Sequence, residues 1–158
     1  MDYLTCDLSK LWSTDIETPS LTPDKIWVLC AINAKTRERV HFTTHKEMAQ
    51  WTTEKIAEGC KFIGHNFIKF DSYYMNLILG TKITVGKIFD TFLMSSVYNP
   101  SLEGGHSLDD WGRRLRLAKL PFKEFDKLSE EMITYCYRDC EIALEAYLAL
   151  RRKMIQFR

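Results

Sequence analysis

The run Ile26-Trp27-Val28-Leu29-Cys30-Ala31-Ile32 carries no charge and no turn former. It is short for a helix and right for a strand, and its unbroken apolar character suits a strand at the centre of a sheet. The polar turn Asn33-Ala34-Lys35-Thr36 follows, and Arg39-Val40-His41-Phe42 completes a hairpin. Leu11 to Glu17 reads as an earlier strand. His45 to Glu58 has a helical pattern, with Met48, Trp51, Ile56 and Ala57 as candidate contacts and Gly59 as its stop. A short strand over Lys61–His65, a helix from Asp71 to Leu79, a strand at Lys87–Asp90 and a helix from Thr91 to Tyr98 come next. Ser107 is placed to cap a short helix reaching Leu115, and Ser129 to cap a long last one. Glu130 and Glu131 at its start, and Arg151, Arg152 and Lys153 near its end, suit the helix dipole. A hairpin followed by alternating strands and helices predicts an α/β fold: a mixed central sheet, antiparallel and then parallel, flanked by helices.

The chain has 158 residues, 46% of them hydrophobic. That is enough for one domain, expected over 1–158 with its core at about 11–150. No apolar run is long enough to span a bilayer, so no membrane partner is expected. The start, Met1-Asp2-Tyr3-Leu4-Thr5-Cys6-Asp7, has neither the basic residues nor the apolar run of a signal peptide. Five cysteines are an odd number without a paired framework, and the expected compartment is a reducing cytoplasm. Cys136 and Cys140 have a spacing open to metal binding. Both fall on the apolar stripe of the last helix, and we read them as core.

The pattern of acids is more specific. Asp15 and Glu17 stand two apart on a strand, so both point to one side. Asp71 opens a helix just after Gly64-His65-Asn66-Phe67-Ile68-Lys69-Phe70, where taken alone it reads as a cap. Asp139 lies four residues after Tyr135 on a stripe with Met132 and Ala143, at the margin of the buried face. A carboxylate there needs a positive partner, and neither Arg138 nor Lys153 is well placed by helical spacing. A metal is the other answer.

Taken together and in this order, these motifs resemble those of the four-carboxylate (DEDD) 3′→5′ exonuclease superfamily, in its tyrosine form. His65-Asn66-Phe67-Ile68-Lys69-Phe70-Asp71, Asp90-Thr91-Phe92-Leu93 and His106-Ser107-Leu108-Asp109-Asp110-Trp111-Gly112-Arg113-Arg114-Leu115 are similar to segments of the exonuclease domain in family-A DNA polymerases of short-tailed phages. The resemblance implies a ribonuclease H-like fold and two divalent cations, Mg²⁺ or Mn²⁺, held by Asp15, Glu17, Asp71 and Asp139. It further implies Tyr135 as the residue that orients the attacking water. The implied substrate is the 3′ end of single-stranded DNA, in the host cytoplasm if the chain is phage-encoded. A separately encoded DNA polymerase is a candidate partner.

Candidate substrate contacts are Asn66 and Lys69 for phosphate, Phe67 or Phe70 for stacking on a frayed base, and Ile16, His106 and Arg113 near the cleft. Arg113, Arg114, Arg116 and Lys119 form a basic cluster that reads equally as a phosphate site or a solvated face. The net charge of +1 does not oppose a phosphate-rich partner: 21 acidic residues include the four candidate ligands, and the other 17 stand against 22 basic ones. Three rivals remain: an exoribonuclease of the ribonuclease D type, a non-catalytic nucleic-acid-binding accessory module, and a plain mixed-sheet domain whose acids serve only as caps and salt bridges.

Overall fold

The structure, a computed structural model, describes residues 4–156. The expected core lies within that range; Met1, Asp2 and Tyr3 of the starting segment, and Phe157 and Arg158, lie outside it. Three antiparallel strands come first: β1 (Leu11–Glu17), β2 (Val28–Asn33) and β3 (Arg39–Phe42). Then follow α1 (His45–Ala57), β4 (Lys61–Gly64), α2 (Asp71–Leu79), β5 (Ile88–Asp90), α3 (Thr91–Tyr98), α4 (Leu108–Arg114) and α5 (Glu130–Gln156). The sheet order is β3-β2-β1-β4-β5, and β4 and β5 run parallel to β1. This is the expected mixed sheet flanked by helices. No helix among the described residues is long and apolar enough to cross a membrane.

The apolar run does occupy a sheet interior, but the strand begins two residues later than its first apolar residue. Trp27 N–H donates to Glu17 O (2.8 Å), its indole donates to Phe125 O (2.9 Å), and His45 Nε2 faces Ile26. β2 is buried along its whole length because both of its faces are covered. On one face Val28, Cys30 and Ile32 pack with Leu11, Ile63 and Phe89 against Cys136, Cys140, Leu144 and Tyr147 of α5. On the other, Leu29 and Ala31 join Trp12, Ile16 and Phe62 against Met48 and Trp51 of α1 and Met75 of α2.

The segment between β4 and α2 is held in a fixed shape. β4 stops at Gly64, one residue before the expected end, because the chain turns and Phe67 folds back on it. A Cβ at Gly64 would stand 2.8 Å from Phe67 Cβ and 2.3 Å from its Cδ2, so only glycine fits. Asn66 adopts φ +56°, the left-handed region that Asn tolerates better than most side chains. Asp90 organises the turn from across the sheet. It caps α3 through Phe92 N–H (3.0 Å) and accepts Asn66 N–H (2.9 Å) and Ile68 N–H (3.0 Å).

Asp90→Ala removes a helix cap and leaves two partly buried loop donors without partners. We expect a loss of roughly 2–4 kcal/mol in urea unfolding, the sum of a cap and unsatisfied donors. A loss below about 1 kcal/mol, within the range of a cap alone, would mean that the loop holds itself.

Candidate functional site

β1 outruns its parallel neighbour. Pairing with β4 covers only Leu11, Trp12 and Ser13, while β2 stays paired with β1 as far as Glu17. The β4-facing side of the last residues of β1 is therefore open. The Ile16 N–H on that side is taken by Asp71 Oδ2 (3.1 Å). Asp71 opens α2 without the support of a side-chain cap from Phe70, so its carboxylate serves the sheet edge rather than acting as a simple cap.

Asp15 and Glu17 share the face of β1 that carries Leu11 and Ser13, as strand alternation requires. That face meets α5. Ser13 Oγ donates to Cys140 O (2.7 Å), and Cys136 Sγ lies 3.5 Å from Asp15 O and 3.6 Å from its Oδ2. Ligand atoms of Asp15, Glu17 and Cys136 lie within 4.8 Å of one another. The Asp15 carboxyl is also close enough to Glu17 and Asp71 for each to shift the other's proton affinity. Asp139 approaches from one turn further along α5. Its Oδ2 pairs with Lys119 Nζ at 3.6 Å, and its buried Oδ1 has no hydrogen-bond partner.

The crowding is visible in the proton affinities. Burial raises Asp15, and raises Asp71 well above the usual carboxylate range with help from the Asp15 charge. Burial, then repulsion from Asp15 and Asp139, pushes Glu17 up to about 11. Burial and Asp15 push Asp139 up to about 8, although Lys119 pulls it back. Against these four carboxyls, Lys119 pairs with Asp139 and its charge also acts on Asp15. The half-buried Tyr135 hydroxyl is also raised, by burial and by Asp139, so it stays protonated at neutral pH.

Of the expected five residues, Glu17, Asp71 and Asp139 are thus gathered around Asp15, and Tyr135 stands beside Asp139 and Lys119. Among the expected substrate contacts the outcome differs. Phe67 is fully buried against Phe62 and cannot stack on a base; this expectation fails because the turn at Gly64 needs the ring inside. Phe70 is half-buried and lines a cleft of about 270 Å³ with Ile16, Glu17, Thr18, Leu21 and Phe125. The Ile16 side chain itself is buried. Asn66 and Lys69 are exposed. His106 is tied into the fold, Nδ1 to Ser95 Oγ (2.6 Å) and Nε2 to Pro100 O (3.3 Å), as a loop anchor. Arg113 pairs with Asp109 and Asp110 of its own helix, and Arg114 with the carbonyls of Glu103 and Gly105.

Two participants escape sequence reasoning. Lys119 sits in a basic cluster, and nothing in its spacing links it to Asp139. The link runs through the segment between α4 and α5, where Arg138 donates to Ala118 O (2.7 Å) and the Phe122 and Phe125 rings pack on Tyr135. Cys136 sits on the apolar stripe as expected, and that stripe also faces Asp15. No protein-family model matches the sequence, and no curated protein matches it either.

A carboxyl whose folded pKa is raised contributes most to stability below its unfolded pKa, and that contribution is lost as pH rises through the folded value. For Asp139 the window runs from the ordinary 3.8 to about 8. Metal-free protein should therefore lose melting temperature between about pH 5 and about pH 8, and Asp139→Asn should flatten that fall. Parallel wild-type and variant profiles would remove Asp139 from this account.

Proposed function

We propose that this chain is a divalent-cation-dependent 3′→5′ exonuclease with a ribonuclease H-like fold, acting on single-stranded or frayed DNA ends. The observation that carries the reading is the convergence of Asp15, Glu17, Asp71 and Asp139 at the open end of β1, with Lys119 paired to Asp139. Like charges held that close either take up protons or share cations. The strand order β3-β2-β1-β4-β5, with three antiparallel strands and then two parallel to the first, supports the fold.

The four carboxylates suit Mg²⁺ or Mn²⁺, since all their donor atoms are oxygen. The unpartnered Asp139 Oδ1 fits that role, because a buried acceptor without a donor is costly. When bound, such cations supply Lewis acidity for phosphodiester hydrolysis. The chain's own residues do the rest. Tyr135 keeps its phenolic proton, so it orients a water through its hydroxyl rather than removing a proton. Its ring is fixed by Phe122 and Phe125, with Lys119 Nζ 5.2 Å above it. Lys119 offsets negative charge beside Asp139. The cleft lined by Ile16, Leu21, Phe70 and Phe125 offers an unpaired terminal base an apolar seat next to Glu17. A paired base is wider and tied to its partner strand, so this seat favours frayed ends.

Single-stranded DNA labelled at its 5′ end should be shortened stepwise from the 3′ end with Mg²⁺ or Mn²⁺, releasing nucleoside 5′-monophosphates. Asp15→Ala should leave it intact. DNA that stays whole with the wild type, while still bound, would turn the reading to a non-catalytic module; faster loss of RNA ends would turn it to an exoribonuclease. Tyr135→Phe should fold, keep its Mn²⁺ affinity and cleave roughly tenfold to a hundredfold more slowly, the cost of a mispositioned reactant. Full activity in that variant would take Tyr135 out of the mechanism.

A further inference from the structure

We propose that Cys136 adds a sulfur position to the carboxylate cluster, making a mixed oxygen–sulfur site with Asp15 and Glu17 that selects a thiophilic divalent ion, Zn²⁺ or Cd²⁺. The proposal rests on the reading of the cluster as a cation site and deepens it, by naming which ions compete there.

The geometry places a soft donor among hard ones. The Cys136 sulfur lies 3.6 Å from Asp15 Oδ2, and the three ligand atoms lie within 4.8 Å of one another. A tetrahedral zinc site, with Zn–S about 2.3 Å and Zn–O about 2.0–2.2 Å, has ligand–ligand edges of roughly 3.5 Å, so side-chain rotations alone can close this triangle. An independent observation points to a ligand in the same place. Asp139, three residues after Cys136 on the same flank of α5, is 6% exposed and leaves Oδ1 buried without a partner. Its charge acts on both Asp15 and Glu17, so this buried acceptor lies beside the triangle.

Cys136 itself is fully buried, so the sulfur is reached past the carboxylates and not from open solvent. Binding exchanges a proton for the ion: the S–H bond breaks, the proton leaves to solvent, and a sulfur–metal bond forms without any change of oxidation state. Oxygen ligands alone suit Mg²⁺ and Mn²⁺, whereas thiolate favours zinc and its softer relatives. An ion held this way takes Asp15 and Glu17 out of use for Mg²⁺ or Mn²⁺, so the thiophilic ion acts as a competing inhibitor. A thiol that only fills space beside Asp15 makes no such distinction, and serine would replace it without effect on any metal.

The test is a Cd²⁺ titration of metal-free, reduced protein, wild type and Cys136→Ser, followed by the thiolate-to-cadmium charge-transfer absorption in the ultraviolet. Mn²⁺ affinity is measured on both by electron paramagnetic resonance, and folding of the variant is checked by circular dichroism. We expect the band in the wild type and its loss in the variant. Cd²⁺ affinity should fall at least about tenfold while Mn²⁺ affinity changes by less than about twofold. No band in the wild type, or the same band in Cys136→Ser, overturns the proposal. If Cys136→Ser does not fold, Cys136→Ala takes its place with the same two outcomes. A cadmium band without Mn²⁺ binding or cleavage keeps the sulfur site and removes the nuclease reading. Mn²⁺-dependent cleavage without the band does the reverse.

Discussion

The packing of α5 across β1 and β2 is the interaction on which the rest depends. It is anchored by a buried hydrogen bond from Ser13 to the Cys140 carbonyl and by a cluster running from Leu11 through Cys30 to Leu144 and Tyr147. That contact fixes the height of α5 against the strand, and so decides that Tyr135, Cys136 and Asp139 meet Asp15 and Glu17. A slip of one residue in β1 would turn both acids to the opposite face and bring Trp12 and Ile16 to α5. The apolar interface also offsets a real cost. Carboxyls forced together in a water-poor place disfavour the folded state at neutral pH, and the distant packing of aliphatic and aromatic side chains has to outweigh them.

The second support is the segment between α4 and α5. It has no regular structure through most of its length, yet it is pinned at both faces of the site. The Trp27 indole holds Phe125, Arg138 holds the Ala118 carbonyl, and Phe122 and Phe125 brace the Tyr135 ring. Lys119 is presented to Asp139 by this segment alone. A loop so tied behaves as part of the scaffold, its leucines and phenylalanines interleaved with charged residues.

Most element boundaries were legible in the sequence, because hydrophobic period and capping residues are local signals. Ser107 forms a full capping box with Asp110, and Ser129 accepts the Met132 N–H, as their positions predict. Where the structure differs, a non-local contact has overridden a local pattern. Ile26 and Trp27 belong by composition to the central strand, but their bonds to His45, Glu17 and Phe125 draw them out of it. Phe67 looks like an exposed aromatic beside a motif, but the glycine that lets it fold inward stands three residues earlier. The two stripes of α5 were readable from helical phase, and so was the absence of a partner for Asp139 on its own helix. The partner that does exist comes from a loop, and periodicity carries no information about loops.

The short reach of β4 leaves the β4-facing side of β1 unpaired beyond Ser13, with a main-chain donor at Ile16. Bare backbone of that kind is an invitation to any extended segment, whether from the same chain or another copy, to lengthen the sheet. Asp71 answers it with a single carboxylate oxygen. One of the four carboxyls of the cluster is therefore also a stopper, and the cleft beside the end of β1 stays accessible without a bare donor at Ile16.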